Sequence, residues 1–345
     1  MKRSPLVLRL SAMVFVLSLL AACGQPDADL INKPDTRETG PVGADPSGEI
    51  LFVADGNVMR WDGSVERITK DVTAESPTWA PAGDRFAYVD WHDGWSDIIV
   101  AERDGDLLVR VTANEPVGYD PYSLEWACIA NWAIDPQWSP TGEQLIFSSD
   151  DDGYEFECAS RLSDPMFLFY SETWDAPPYI LPSAEALDMP QEDPSLSPDG
   201  NDVAFVVRQD VTDTLRNTEI WTMDLNTAAA ELLVTHPDGA YDPAWGPVGG
   251  YIAYVQRDGA SNDLWIAPLN DGDPYRLTSD GTVTSPEWSP DGSQIAFFRL
   301  VDGAFEAAYV DITADAAGVL SASAPKKLFS SDHIQPDSGM SWRAK

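Results

Sequence analysis

The sequence predicts an all-β fold, a six-bladed β-propeller of four-stranded antiparallel blades closed by a composite N-/C-terminal blade. Three observations predict it. A fourteen-residue phrase recurs five times, as SPTWAPAGDRFAYV (76–89), DPQWSPTGEQLIFS (135–148), DPSLSPDGNDVAFV (193–206), DPAWGPVGGYIAYV (242–255) and SPEWSPDGSQIAFF (285–298). Each phrase is followed by two more strand-like segments, giving a unit of four short strands with a period of about 43 residues where nothing is inserted. The ends complement one another. Ser338–Trp342 has the form of an innermost strand without its turn, and 45–52 has the form of a turn and second strand without the first.

The amino terminus lies outside this repeat. Lys2, Arg3 and Arg9 precede an apolar run, Leu10–Leu20, too short to span a bilayer, so residues 1–22 read as an export signal. Leu20-Ala21-Ala22-Cys23 resembles the lipobox of bacterial lipoproteins. That resemblance implies cleavage before Cys23, its lipidation and an anchor of two or three acyl chains; an ordinary secretory signal with a chance Cys is the alternative. Gly24 is not an inner-membrane retention Asp, which points to an outer membrane or outer leaflet on the exported side. Residues 23–47, the lipidated Cys and then a stretch rich in Pro, Gly and Asp, read as a flexible tether with a reach on the order of 25–30 Å.

Residues 48–345 read as the propeller. Within SPDG, Ser289 suits the first position of a type I turn, Pro290 presets φ at the second and Gly292 fits the fourth. After the turn, runs such as Ile295–Phe298 lack strict polar alternation, as expected of strands buried on both faces. In the 242–285 unit, Asp263–Ile266 and Tyr275–Thr278 read as the third and fourth strands. A blade cannot bury its two faces alone, so neighbours must pack on both sides.

The W-S-P-D-G-x-x-I-A-F pattern resembles that of the TolB family of six-bladed propellers, over roughly residues 45–345. Related repeats form the propellers of prolyl-oligopeptidase-like and tricorn-type proteases. The resemblance implies a propeller that docks envelope lipoproteins and peptide segments. Two departures stand out. The tether is too short for the α/β domain that precedes the propeller in TolB, and no G-x-S-x-G elbow of the peptidases occurs.

With 21 Lys and Arg against 57 Asp and Glu, the formal net charge is −36. Such a surface repels phosphate backbones and anionic headgroups, which excludes nucleic acid and leaves the lipid anchor as the only membrane contact. It favours basic protein segments or cations as partners, unless the acidity serves only solubility.

In a propeller the turns from strand A to B and from C to D share one face, and the longer B–C and D–A connections share the other. Trp91, His92 and Trp95 are placed in the B–C loop of blade two, and Trp126 and Trp132 in the insertion 117–134 between blades two and three. These rings could bind a sugar or a peptide, or pack on one another as a small core. Cys128 and Cys158 fall on adjacent loops of that face and could pair, or remain buried thiols. Asp135, Asp193 and Asp242 precede the Pro of strand A and should ring the channel mouth. They could hold a cation or a basic peptide, or only cap the turn into the strand.

The segment 150–157 fails the EF-hand template, with Ser148 and Ala159 at its first and last places, so no cofactor is implied beyond adventitious Ca2+. The three histidines, His92, His236 and His333, are spread around the rim, and no catalytic constellation or ligand spacing is present. The expectation is a monomeric, lipid-anchored scaffold of the cell envelope that binds a protein or peptide. The alternative is a glycan-binding or glycan-degrading propeller using the aromatic loops.

Overall fold

The inner strands of six sheets touch one another in a closed circuit, each flanked by the inner strand of the blade before and after it. The computed structural model describes residues 46–70, 72–121, 123–151, 166–187, 189–209, 217–270 and 272–345. The predicted signal, Cys23 and the tether up to residue 45 lie outside these, as does Cys158.

Blade one opens with β1 (Glu49–Ala54), β2 (Asn57–Trp61) and β3 (Val65–Arg67); blade two is β4 (Ala74–Trp79), β5 (Arg85–His92), β6 (Trp95–Glu102) and β7 (Leu107–Arg110). A short helix, α1 (Leu124–Ile129), leads to blade three: β8 (Ala133–Trp138), β9 (Leu145–Ser149), β10 (Phe167–Ser171) and β11 (Tyr179–Ile180). A second helix, α2 (Pro182–Leu187), precedes blade four: β12 (Glu192–Leu196), β13 (Asp202–Gln209), β14 (Asn217–Asp224) and β15 (Ala230–Val234). Blade five is β16 (Ala240–Trp245), β17 (Tyr251–Asp258), β18 (Ser261–Pro268) and β19 (Tyr275–Arg276). Blade six is β20 (Thr284–Trp288), β21 (Gln294–Val301) and a long β22 (Ala304–Ala314), which pairs both β23 (Leu320–Ala322) and β24 (Lys326–Phe329).

The last strand, β25 (Met340–Arg343), completes blade one. It pairs antiparallel with β1, Ile50 opposite Trp342 and Phe52 opposite Met340. The composite blade expected from the two ends is therefore the observed one.

The turn chemistry explains the repeated Pro and Gly. In all five phrases the Gly amide bonds back to the carbonyl three residues earlier, from Gly83 to Ala80 and from Gly292 to Ser289 at 2.8 Å, for example. Gly292 has φ 71°, where a side chain is disfavoured. Ser289 Oγ donates to Asp291 and accepts the Gln294 amide at 2.9 Å, locking the turn onto the next strand.

The runs without alternation have a simple cause: each blade face meets a different neighbour. Ile50 and Phe52 pack with Ala296 and Phe298 of blade six, whereas Leu51 and Val53 pack with Phe86 and Tyr88 of blade two. One apolar cluster fills each of the six gaps between blades. Burying one Phe in such a gap contributes ~2–3 kcal/mol.

A second motif repeats on the outer strands. Asp97, Arg110 and Thr112 in blade two have the same spacing as Asp263, Arg276 and Thr278 in blade five. In both blades Thr Oγ1 accepts a strand-C amide at 3.0 Å, and the Arg pairs with the Asp. Among the described residues no helix is long and apolar enough to cross a membrane.

Candidate functional site

Strand A holds a strained residue just before the proline of the phrase. Ser76, Asp135, Asp193, Asp242 and Ser285 have φ between 46° and 53°, and Gly339 takes 71° at the same place in blade one. In the five complete blades the A–B pairing shifts register there, the mark of a β-bulge. Left-handed backbone is tolerated best by Gly and next by Asp or Asn, which accounts for Gly339 and the three aspartates.

These side chains then link one blade to the next. Ser76 Oγ donates to Asp135 Oδ1 at 2.8 Å. The amides of Asp193 and Asp242 bond to the carboxylates of Asp135 and Asp193 respectively. Asp242 Oδ2 accepts the Ser285 amide at 2.8 Å and the Thr284 hydroxyl at 3.2 Å. Ser285 Oγ donates to the carbonyl of Pro336 at 2.7 Å. These carboxylates therefore accept hydrogen bonds across the gap between blades.

Two residues further along, strand A makes more such links. The Trp138 and Trp288 indoles donate to the carbonyls of Thr78 and Ala244 at 3.1 and 3.0 Å, and the Trp342 amide donates to Glu287 Oε1 at 3.2 Å.

The mouth they surround opens into a cavity of about 440 Å³. Its polar lining includes Asp135, Glu192, Asp193, Asp242, Glu287 and Asp337, with Arg208 as its one cationic side chain among the described residues. Arg208 pairs with Glu192 at 2.5 Å and is still half exposed. Pro77, Pro194, Pro243, Pro286 and Met340 contribute apolar wall, with Ile134, Val206 and Ala244.

Burial and mutual repulsion raise these carboxyls. Burial pushes Asp135 and Asp242 up to about 6 against the hydrogen bonds each accepts, and Asp193, flanked by both, rises well above its ordinary value. Glu75, half-buried and facing Asp135 and Asp337, is raised by desolvation to about 7. Glu287 reaches about 8 through burial, opposed only by the Trp342 amide. Burial also raises Asp337. No group of three or more His, Cys, Asp or Glu is arranged to hold a metal ion among the described residues.

The aromatic residues lie together on the same face, but on strands as much as on loops. Trp91 and His92 end β5 and Trp95 begins β6, because the connection is only the tight turn Asp93-Gly94. His92 stacks on Trp95 at 3.7 Å between ring centroids, and its Nε2 lies 3.1 Å from Asp90. Trp91 meets Trp132 at 4.7 Å. Trp126 lies so close over Gly94 that a Cβ there would come within 2.1 Å of its ring. None of these four Trp is exposed. The insertion expected to be irregular contains α1, whose first turn is capped by Ser123 Oγ accepting the Trp126 amide at 3.0 Å. Cys128 sits on α1; its expected partner, Cys158, is outside the described residues.

Asp135, Asp193 and Asp242 line the mouth together with Glu287, Arg208 and Asp337, and Glu75 faces Asp135; sequence reasoning had not singled out these last four. Glu287 had a visible signal: it is the one acid at a position filled elsewhere by Thr78, Gln137, Ser195, Ala244 and Ser341.

Residues 184–340 match the family described as the TolB beta propeller domain. Among curated proteins, the Tol-Pal system protein TolB of a Polaromonas species is 34% identical over 103 residues, 28% of this chain and 24% of that protein. An uncharacterized peptidase, YuxL, of Bacillus subtilis is 32% identical over 108 residues, 30% of this chain and 16% of its own length. The chain thus matches less than a quarter of either relative. Among solved structures, TolB from Acinetobacter baumannii superposes with a TM-score of 0.62 at 15% identity, covering 86% of this chain and 67% of that one. By its closed ring of blades this chain is a six-bladed β-propeller, and over residues 184–340 it is similar to the TolB beta propeller domain.

Proposed function

We propose that this protein is a lipid-anchored scaffold of the cell envelope whose long-loop face and channel mouth bind a basic segment of a protein partner. The observation that carries the reading is the mouth itself. A cavity of about 440 Å³ opens between the blades, lined by six carboxylates and one Arg. Carboxylates held near one another in a partly enclosed mouth raise the local affinity for positive charge, and a wall of prolines adds apolar contact for a peptide. Similarity to a Tol-Pal system protein supports a role in the envelope, shared with protein partners.

Photo-crosslinking in whole cells tests this. A photoreactive residue at Tyr119 or Val301, both exposed on the long-loop face, should capture a discrete protein; one at Val248, exposed on a short A–B turn, should not. Equal capture from both faces, or none from Tyr119 and Val301, would sink the reading.

Cys23 is the proposed lipidation site, and Cys128 with Cys158 the proposed disulfide. Metabolic labelling with an alkyne fatty acid should mark the wild type and not Cys23→Ala. Alkylation followed by mass measurement should find both other cysteines blocked until reduction.

A further inference from the structure

The throat below the mouth is layered, and the layers differ in chemistry. Strand A runs from the long-loop face toward the short turns in every blade, so successive positions of the phrase lie at successive depths. The top layer is Ser76, Asp135, Asp193, Asp242, Ser285 and Gly339. Its aspartates are already engaged by amides and hydroxyls of the neighbouring blades. The next layer is apolar: Pro77, Pro194, Pro243, Pro286 and Met340 line the cavity. Below it, among Thr78, Gln137, Ser195, Ala244 and Ser341, Glu287 is the single charged group. One of its oxygens accepts the Trp342 amide at 3.2 Å, and Oε2 remains open to an incoming donor.

From this layering we infer that the throat admits one lysine side chain of a partner segment, its methylene stem in the proline collar and its ammonium on Glu287. The inference rests on the mouth being a peptide-binding site and specifies the residue it reads. Two residues of extended strand span ~6.6 Å, about the reach of a four-carbon stem with its ammonium. A single free oxygen suits a point-charge donor better than the two-pronged guanidinium of Arg. A bare cation would gain nothing from the apolar collar and meets no converging ligand set among the described residues.

The charged groups around the stem are Glu75 beside β8, Asp135, Asp193, Asp242, the Glu192–Arg208 pair and Asp337. The acids all favour an incoming cation, and Arg208 is held by Glu192 at 2.5 Å. Buried alone, Glu287 is pushed to about 8, so near neutral pH it carries a proton that an arriving ammonium expels.

The probe is the pentapeptide acetyl-Gly-Gly-Lys-Gly-Gly-amide, titrated by calorimetry with its norleucine and 2,3-diaminopropionyl homologues. The lysine peptide should bind at least about tenfold more tightly than either homologue, since one lacks the charge and the other the stem. Heats in two buffers of different ionisation enthalpy should show proton release at pH 7. Glu287→Gln, which keeps an acceptor for the Trp342 amide, should erase both the preference and the released proton. Failure of the lysine peptide to bind at millimolar concentration, equal binding of the short-stemmed homologue, or an unchanged titration with Glu287→Gln each overturns the inference. Face-selective crosslinking from Tyr119 and Val301 would in those cases still uphold the broader reading, whereas its loss would remove both.

Discussion

The Asp242 carboxylate accepts the backbone amide of Ser285, the residue that holds the same place in the following blade, at 2.8 Å. Asp242 itself has φ 52°. The side chain therefore serves two ends, tolerating a left-handed backbone and fastening one blade to the next. Asp242→Ala should lose both and destabilise by about 1–3 kcal/mol, measured as a lower urea midpoint. Asp242→Asn keeps the acceptor and the backbone tolerance while removing a buried charge, and should match or exceed wild-type stability at pH 7.5.

Stability should fall as pH rises through the neutral range. Glu75, Asp135, Asp242 and Glu287 have folded values of about 7, 6, 6 and 8, all above their ordinary ones. Between those limits the folded protein binds more protons than the unfolded chain, so the slope of stability against pH is negative from about pH 4 to 8. Glu49 and Asp311 act oppositely: Lys326 and Gln294 bond to Asp311, Arg103 and Arg343 to Glu49, and each is held below its ordinary value despite burial. Their contribution is lost as pH falls below about 4.5. Urea midpoints should thus peak near pH 4 and correspond to a loss of at least about 2 kcal/mol by pH 8.5. Glu287→Gln should flatten the alkaline part of that slope.

The closing strand is held by charge as well as by its ladder. Glu49, nearly fully buried, receives Arg343 Nη2 at 2.7 Å and also Arg103 from blade two. Trp79 lies 5.5 Å from the Arg103 guanidinium and 5.1 Å from that of Arg343. Glu49→Gln leaves two guanidinium groups against one another and should destabilise by about 3 kcal/mol in urea denaturation. Arg343→Met removes one partner and should be milder, because Arg103 remains.

Gly94 is required by both its backbone and its neighbour. Its φ is 97°, and a Cβ would sit 2.1 Å from the Trp126 ring. Gly94→Ala should displace Trp126, change tryptophan fluorescence and lower stability by about 1–3 kcal/mol, with the far-ultraviolet circular dichroism of the blades unchanged.

The number of blades and the shared first blade were legible because turn chemistry and strand order are local properties of the chain. The aspartates before proline were visible as a pattern, but their function as blade-to-blade acceptors requires knowing which amide lies across the gap. Trp91, His92 and Trp95 were assigned to a loop because two flanking aromatics around Asp93-Gly94 resemble an insertion, whereas the hairpin needs only those two residues to turn. Six-residue α1 has too few turns to show a helical period. The Asp97–Arg110–Thr112 spacing recurs at Asp263–Arg276–Thr278, so comparing the outer strands with one another would have revealed it.

Among the described strands β25 is the last in chain order yet pairs with β1, the first, so blade one is complete only once the two distant segments meet. Until that late segment arrives, β1 offers a row of unsatisfied backbone groups, and Glu49 waits without Arg343. Ring closure is thereby tied to a contact between the strands furthest apart in sequence, so the seam is the joint whose loss exposes a pairing edge.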